Sequence, residues 1–240
     1  MGWFPGSPGR ARRPATVAIC GLAALAASLA WPAAARTADP GASRPRQDLA
    51  PFGKQAASAA AREVAAWVLD SGDNQGLPFV IIDKVDAKVF VFDREARLQG
   101  AAAALLGLGV GDDSVPGIGQ RKLATITPPE RTTPAGRFQA SLGHDFEQDI
   151  LWVDYDAALS LHRVVAGSPA DRRHARLGSA TPRDNRISYG CINVPARFYD
   201  RVVVPAFTGT VGIVYILPET KRLDEVFAMR APAAPVSPGR

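Results

Sequence analysis

The sequence is short of the residues that build several kinds of protein. It has two cysteines, Cys20 and Cys191, in 240 residues, which excludes a disulfide-stapled scaffold. It has three histidines, His144, His162 and His174, so an imidazole base has only three candidates. Long apolar runs are scarce: the one membrane-like stretch lies near the N-terminus, which excludes a polytopic membrane protein. Acidic residues are missing from the first 35 positions, where Arg10, Arg12 and Arg13 stand. The net charge of +5 therefore overstates the rest of the chain, whose 25 basic and 23 acidic residues leave only +2. That balance gives no support to a nucleic-acid partner. With 47% hydrophobic residues, wholesale disorder is excluded too.

What is present divides the chain. Residues 1–35 carry a basic segment, an apolar run over 15–31 and the small residues Ala33, Ala34 and Ala35, the three-part pattern of a cleaved secretory signal. An uncleaved signal would be the chain's only membrane attachment. Residues 36–76 read as a polar linker and a short amphipathic helix over 54–70, where Val64, Trp67 and Val68 share a face. From residue 77 the pattern turns to short apolar runs. Residues 78–83 and 87–93 read as a hairpin, and further strands are expected at 98–110, 136–142, 150–155, 158–165 and 211–217. The domain over 77–218 is thus expected to be mostly β with a few helices. Residues 219–240 read as a helical and Pro-rich tail.

The chemistry gathers around Cys191. Gly190 lets the backbone bend sharply before the cysteine. Asn193 and Pro195 read as the cap and first turn of a helix over 194–204. A helix N-terminus there would favour the thiolate, and the N–H groups of Gly190 and Cys191 could hold an oxyanion. A thiolate needs a base. His162 lies on an alternating strand, sharing a face with Ser160, whereas His144 and His174 fall in expected loops. By themselves a cysteine and a distant histidine fit a buried thiol and a surface imidazole better than they fit catalysis.

Three elements in order narrow the choice. Thr133, Pro134, Gly136 and Phe138, then His162, then Ser188, Gly190, Cys191, Ile192 and Asn193 resemble the pattern of the L,D-transpeptidase family of the YkuD type. The resemblance spans roughly residues 77–218. It implies a mixed, β-sandwich-like catalytic domain, export to the periplasm or cell envelope, and remodelling of peptidoglycan stem peptides. It implies Cys191 as nucleophile and His162 as base, with Gly190, Ser188, Tyr189 and Asn193 shaping the site. It implies no metal or organic cofactor, and a monomer. Two departures stand out. Tyr189 occupies the position of a usual histidine, and the stretch between His162 and Ser188 is long and rich in arginine. Of those arginines, Arg186 is nearest Cys191 and is the expected substrate contact through its carboxylate-matching fork.

Alternatives remain open at this point. Water as acceptor would make a carboxypeptidase, and loss of reactivity would leave a peptidoglycan-binding relative. A papain-like endopeptidase usually places its cysteine before its histidine, the reverse of the order here. Asp112 and Asp113 read as a solvated turn, and Trp152, Tyr155 and Phe146 as core aromatics or a sugar-binding groove.

Overall fold

A computed structural model describes residues 51–145 and 148–229. The expected signal segment, Cys20, Phe146 and the Pro-rich end of the chain lie outside the described residues.

Ser58 opens helix α1 (Ala59–Ser71) by accepting the N–H of Ala61, and Gly72, in left-handed conformation, ends it. Its buried residues Ala61, Val64, Ala65 and Val68 follow helical spacing. Ten strands follow: β1 (Phe79–Asp83), β2 (Lys88–Phe92), β3 (Leu98–Ala103), β4 (Leu106–Gly107), β5 (Gly136–Asp145), β6 (Gln148–Asp154), β7 (Leu159–Arg163), β8 (Arg186–Ser188), β9 (Ile192–Val194) and β10 (Val211–Ile216). The helices after α1 are short: α2 (Arg173–Leu177), α3 (Ala196–Phe198), α4 (Val204–Phe207) and α5 (Leu223–Val226).

Among the described residues, eight strands form one sheet in the order β3-β2-β1-β10-β5-β6-β7-β9, and β4 pairs with β8 apart from it. The β1–β10 and β7–β9 ladders are parallel and the other pairs in the large sheet antiparallel. The fold is thus mostly β and mixed, with few helices, as the sequence implied. The β1–β2 hairpin forms with Phe79 opposite Phe92. The expected strand over 98–110 is broken into β3 and β4, which join different sheets.

Strand alternation sorts the side chains onto two faces. On one face Val80, Val89, Val214, Leu151, Leu161, Ile192 and Val194 form a core that runs across the sheet and is covered by Tyr199, Val203 and Phe207. On the other, Phe79, Ile81, Phe90, Phe92, Ile213 and Tyr215 meet α1, Phe52 and Phe227. That second cover lies over β1, β2 and β10. The β5–β9 half of the same face is where the polar side chains of the site stand.

The segment after Cys191 differs from expectation. Ile192 and Val194 are β-branched and fully buried, and strand β9 forms there against β7. Leu105 and Asn193 exchange backbone hydrogen bonds of 2.8 and 2.9 Å on its other side. These pairings outweigh the capping preference of Asn193. Helix begins only at Ala196, passes through a π-helical turn at Tyr199–Val203 and resumes as α4. Asn193 is therefore not a helix cap, and no helix terminus abuts Cys191.

Candidate active site

The parallel β7–β9 ladder sets the site. Leu161 pairs with Ile192 and His162 with Asn193. Alternation then puts Ser160 and His162 of β7 beside Cys191 and Asn193, four side chains on one face, with Leu159, Leu161, Ile192 and Val194 on the other. The Ser160 hydroxyl lies 3.6 Å from Cys191 Sγ, and Sγ lies 3.5 Å from the Ala158 carbonyl.

His162 Nδ1 lies 2.7 Å from the Arg163 carbonyl. A carbonyl only accepts, so Nδ1 carries the hydrogen and Nε2 is left as the basic nitrogen. Burial pushes the Cys191 thiol up, but the hydrogen bond and charge of His162, helped by Ser160, outweigh it and hold the thiol below its ordinary value. Burial pushes the His162 imidazole down, but the pairing with Cys191 and the Arg163 carbonyl raise it above its ordinary value, with Arg173 opposing. Both shifts favour a thiolate beside an imidazolium. The cause is the neighbouring ring, not the helix terminus that the sequence suggested.

The turn before Cys191 is fixed from two sides. Gly190 has φ +136°, and a Cβ there would come within 2.7 Å of the Thr132 carbonyl oxygen, so glycine is required. Ser188 Oγ accepts the Gly190 N–H at 3.1 Å and donates to the Cys191 carbonyl at 2.7 Å. Buried Thr133 accepts the Gly107 N–H at 2.9 Å and donates to the Gly190 carbonyl at 2.7 Å. A trans peptide points its N–H opposite its carbonyl, so the Cys191 N–H faces away from Thr133. The Gly190 N–H is already committed to Ser188. The sequence marks Thr133 only as a motif residue; this clamp is not legible there, because its partners are 26 and 57 residues away.

Cys191 opens onto a cleft whose walls include Ile118, Leu123, Ile126, Arg121 and Tyr189. The covering wall comes from residues 114–134, and no residue of the long arginine-rich stretch between His162 and Ser188 lines the cleft. Gly119 lets this wall approach the β6–β7 turn, since a Cβ there would lie 2.4 Å from the Asp156 carbonyl oxygen. Tyr189 presents its ring to the Arg131 guanidinium, 4.0 Å from the ring centroid.

Other expected residues fall elsewhere. The Arg186 guanidinium is paired with Glu219 and bonded to the Lys84 carbonyl, and Arg186 does not line the cleft. Asp112 is not in a solvated turn. It is buried, bonds Lys84 Nζ at 2.6 Å, and accepts the N–H groups of Glu219, Thr220 and Lys221. Trp152 and Tyr155 stack at 4.7 Å, with Tyr155 64% exposed, so they are not core. Among the described residues no cluster of His, Cys, Asp and Glu could hold a metal ion, and no helix is long and apolar enough to cross a membrane.

No family model matches the sequence, and no curated protein matches it. Several solved structures resemble its fold. The helical cell shape determining protein Pgp2 from Campylobacter jejuni is 14% identical, with a TM-score of 0.42 over 65% of this chain and 55% of that one. An L,D-transpeptidase from Mycobacterium smegmatis is 15% identical, with a TM-score of 0.32 over 58% of each chain. The catalytic domain of an L,D-transpeptidase from E. faecium is also 15% identical, with a TM-score of 0.32 over 58% of this chain and 95% of that one. The chain spans about half the length of the Pgp2 structure. At these identities and scores the likenesses carry no argument about chemistry.

Proposed function

We propose that this chain is an exported L,D-transpeptidase that acts on peptidoglycan stem peptides through Cys191 and His162. The observation that carries the reading is the face shared by Ser160, His162, Cys191 and Asn193, on which thiol and imidazole shift each other toward the ion pair. The ordered motifs from Thr133 to Asn193 support the substrate class, and Cys191 lines an open cleft.

In the first step the Cys191 thiolate attacks the carbonyl carbon of the third residue of a donor tetrapeptide stem. The Cys191 N–H, turned away from Thr133, is the donor placed to hold the oxyanion. The carbon–nitrogen bond to the fourth residue breaks, and His162 Nε2–H gives its proton to the departing amine. A thioester remains on Cys191. An acceptor amine then attacks that carbonyl, His162 takes its proton, and the thiolate leaves. Arg186 has no part in this scheme, because its guanidinium is held by Glu219.

The test is incubation of the full-length protein with disaccharide-tetrapeptide fragments, followed by mass analysis of protein and products. An adduct on Cys191 and a cross-linked product, both absent from Cys191→Ala, are expected. Hydrolysed tripeptide without cross-link would make water the acceptor. A folded wild-type protein that forms neither adduct nor product would overturn the reading.

A further inference from the structure

Arg173 is the first residue of α2, in the arginine-rich stretch between β7 and β8. Its side chain is only 14% exposed, and Nη1 donates to Asn193 Oδ1 at 3.2 Å. Asn193 is 1% exposed, so its amide has few partners to choose from. A guanidinium has donors only, which forces the amide oxygen toward Arg173 and the NH₂ group the other way. That NH₂ group lies 3.3 Å from His162 Nε2 and 3.2 Å from the Cys191 carbonyl. The carbonyl is an acceptor, and Nε2 is one whenever the ring is neutral, so the orientation is consistent at all three contacts in the neutral-ring state.

The loop is shaped to deliver this side chain. Arg172 takes φ +49°, a left-handed conformation that costs a residue with a Cβ. Gly167 lies where a Cβ would come within 2.7 Å of both Arg173 Nε and Asp171 Oδ2. Asp171 accepts from Arg173 Nε at 3.1 Å and steadies the guanidinium.

Resting on the reading that Cys191 and His162 are the reactive pair, we infer that Arg173 is a positioning residue: it pins the Asn193 amide so that an N–H, not an oxygen, faces His162 Nε2, and keeps the imidazole available as a base. An N–H beside Nε2 favours the neutral ring, and the nearby guanidinium charge acts in the same direction. The acceptor half-reaction needs that neutral ring. The groups around the imidazole are few. Cys191 comes from the segment entering β9, Arg173 from the β7–β8 connection (the flap) with Asp171 behind it, and Ser160 from β7. Arg163, also on β7, supplies only its carbonyl, because its guanidinium goes to Asp149 and Asp200. Arg173 is thus the cation set against the pull of the thiolate, and the flap that carries it becomes part of the acid–base machinery.

The experiment follows the His162 ring by NMR and Cys191 alkylation by iodoacetamide against pH, in full-length wild type, Arg173→Gln and Arg173→Lys. Arg173→Gln should raise the His162 midpoint by about 0.5–1 pH unit. Arg173→Lys, which keeps the charge, should restore most of the difference. Asp171→Asn provides the opposite sign: with its partner neutralised, the Arg173 charge is felt more fully and the His162 midpoint should fall. This variant decides the matter if Arg173→Gln does not fold. An unchanged midpoint in folded Arg173→Gln, or a midpoint that does not fall in Asp171→Asn, overturns the inference and leaves Arg173 as a strut of the flap. Ordinary, uncoupled midpoints for both groups in wild type would instead overturn the Cys191–His162 pair itself.

Discussion

His162 and Asn193 face each other across the parallel β7–β9 ladder, with the amide nitrogen of one 3.3 Å from Nε2 of the other. Their alignment fixes Cys191 as well, because the residue two positions before Asn193 must share its face and so stand beside Ser160. The juxtaposition of Cys191 and His162 is therefore set by strand register, and one residue of slip would turn the thiol into the core.

Removal of the imidazole is the most direct check. His162→Ala should slow acyl transfer by ~10²–10⁴-fold. The same variant should raise the pH at which Cys191 alkylates. The thiol is held low mainly by His162, and once the ring is gone only the weaker pull of Ser160 opposes burial. Iodoacetamide rates against pH on the folded variant measure this, and rates matching wild type below neutral pH would contradict it.

The turn can be tested without touching the thiol. Gly190→Ala drives a Cβ toward the Thr132 oxygen at 2.7 Å in a conformation that suits only glycine. It should cost most of the Cys191 adduct formation in mass analysis. Thr133→Val keeps the shape but strands the Gly107 N–H and frees the Gly190 carbonyl. A loss of about 1–3 kcal/mol is expected in denaturant unfolding.

Tyr189 separates shape from acid–base chemistry. A phenol with pKa near ~10 is a poor base at neutral pH. Its ring, under the Arg131 guanidinium, lines the cleft. Tyr189→Phe should keep most of the adduct-forming rate. Tyr189→His should stay within about tenfold, or ~1.4 kcal/mol of barrier. Tyr189→Ala, which removes the surface on which Arg131 rests, should fall furthest. A wild type that is inert and a Tyr189→His variant that reacts would show that the histidine is indispensable.

The buried pair Lys84–Asp112 predicts the acid stability of the fold. Burial pushes the Asp112 carboxyl up, but Lys84, Thr220 and the N–H groups of Glu219 and Thr220 hold it well below the usual carboxylate range. A depressed folded-state value means that the stabilisation is complete above the unfolded pKa near ~3.9 and drains away as pH falls below it. Asp112→Ala should cost about 3–5 kcal/mol at pH 7, because Lys84 loses its closest carboxylate. Chemical denaturation at pH 7 and pH 3 would measure both effects, and the gap between variant and wild type should narrow at the lower pH.

Much of this was legible in the chain because alternation is a local signal. The β1–β2 hairpin, the placement of His162 beside Ser160, and the sharp bend at Gly190 all follow from neighbours in sequence. The misread parts depend on distant partners. Asn193 has the side chain of a helix cap, yet pairing with Leu105 and the β7 edge makes it a strand residue. Asp112 sits among Gly and Ser like a surface turn, yet Lys84 and residues 219–221 enclose it. Among several flap arginines no local feature distinguishes Arg173, which reaches Asn193, from Arg186, which is taken by Glu219.

The order of strands also carries a consequence for how the chain acquires its shape. β10, the last strand, lies between β1 and β5. Without residues 211–216 the sheet would divide into β3-β2-β1 and β5-β6-β7-β9, leaving β1 and β5 with unpaired inner edges. Both the joining of the halves and the burial of Tyr215 await the same segment. The β1–β10 ladder, which pairs Phe79 with Ile213, is a contact between distant parts of the chain, the kind that slows folding by topology. A chain interrupted before β10 would lose the middle of its sheet and not merely its end.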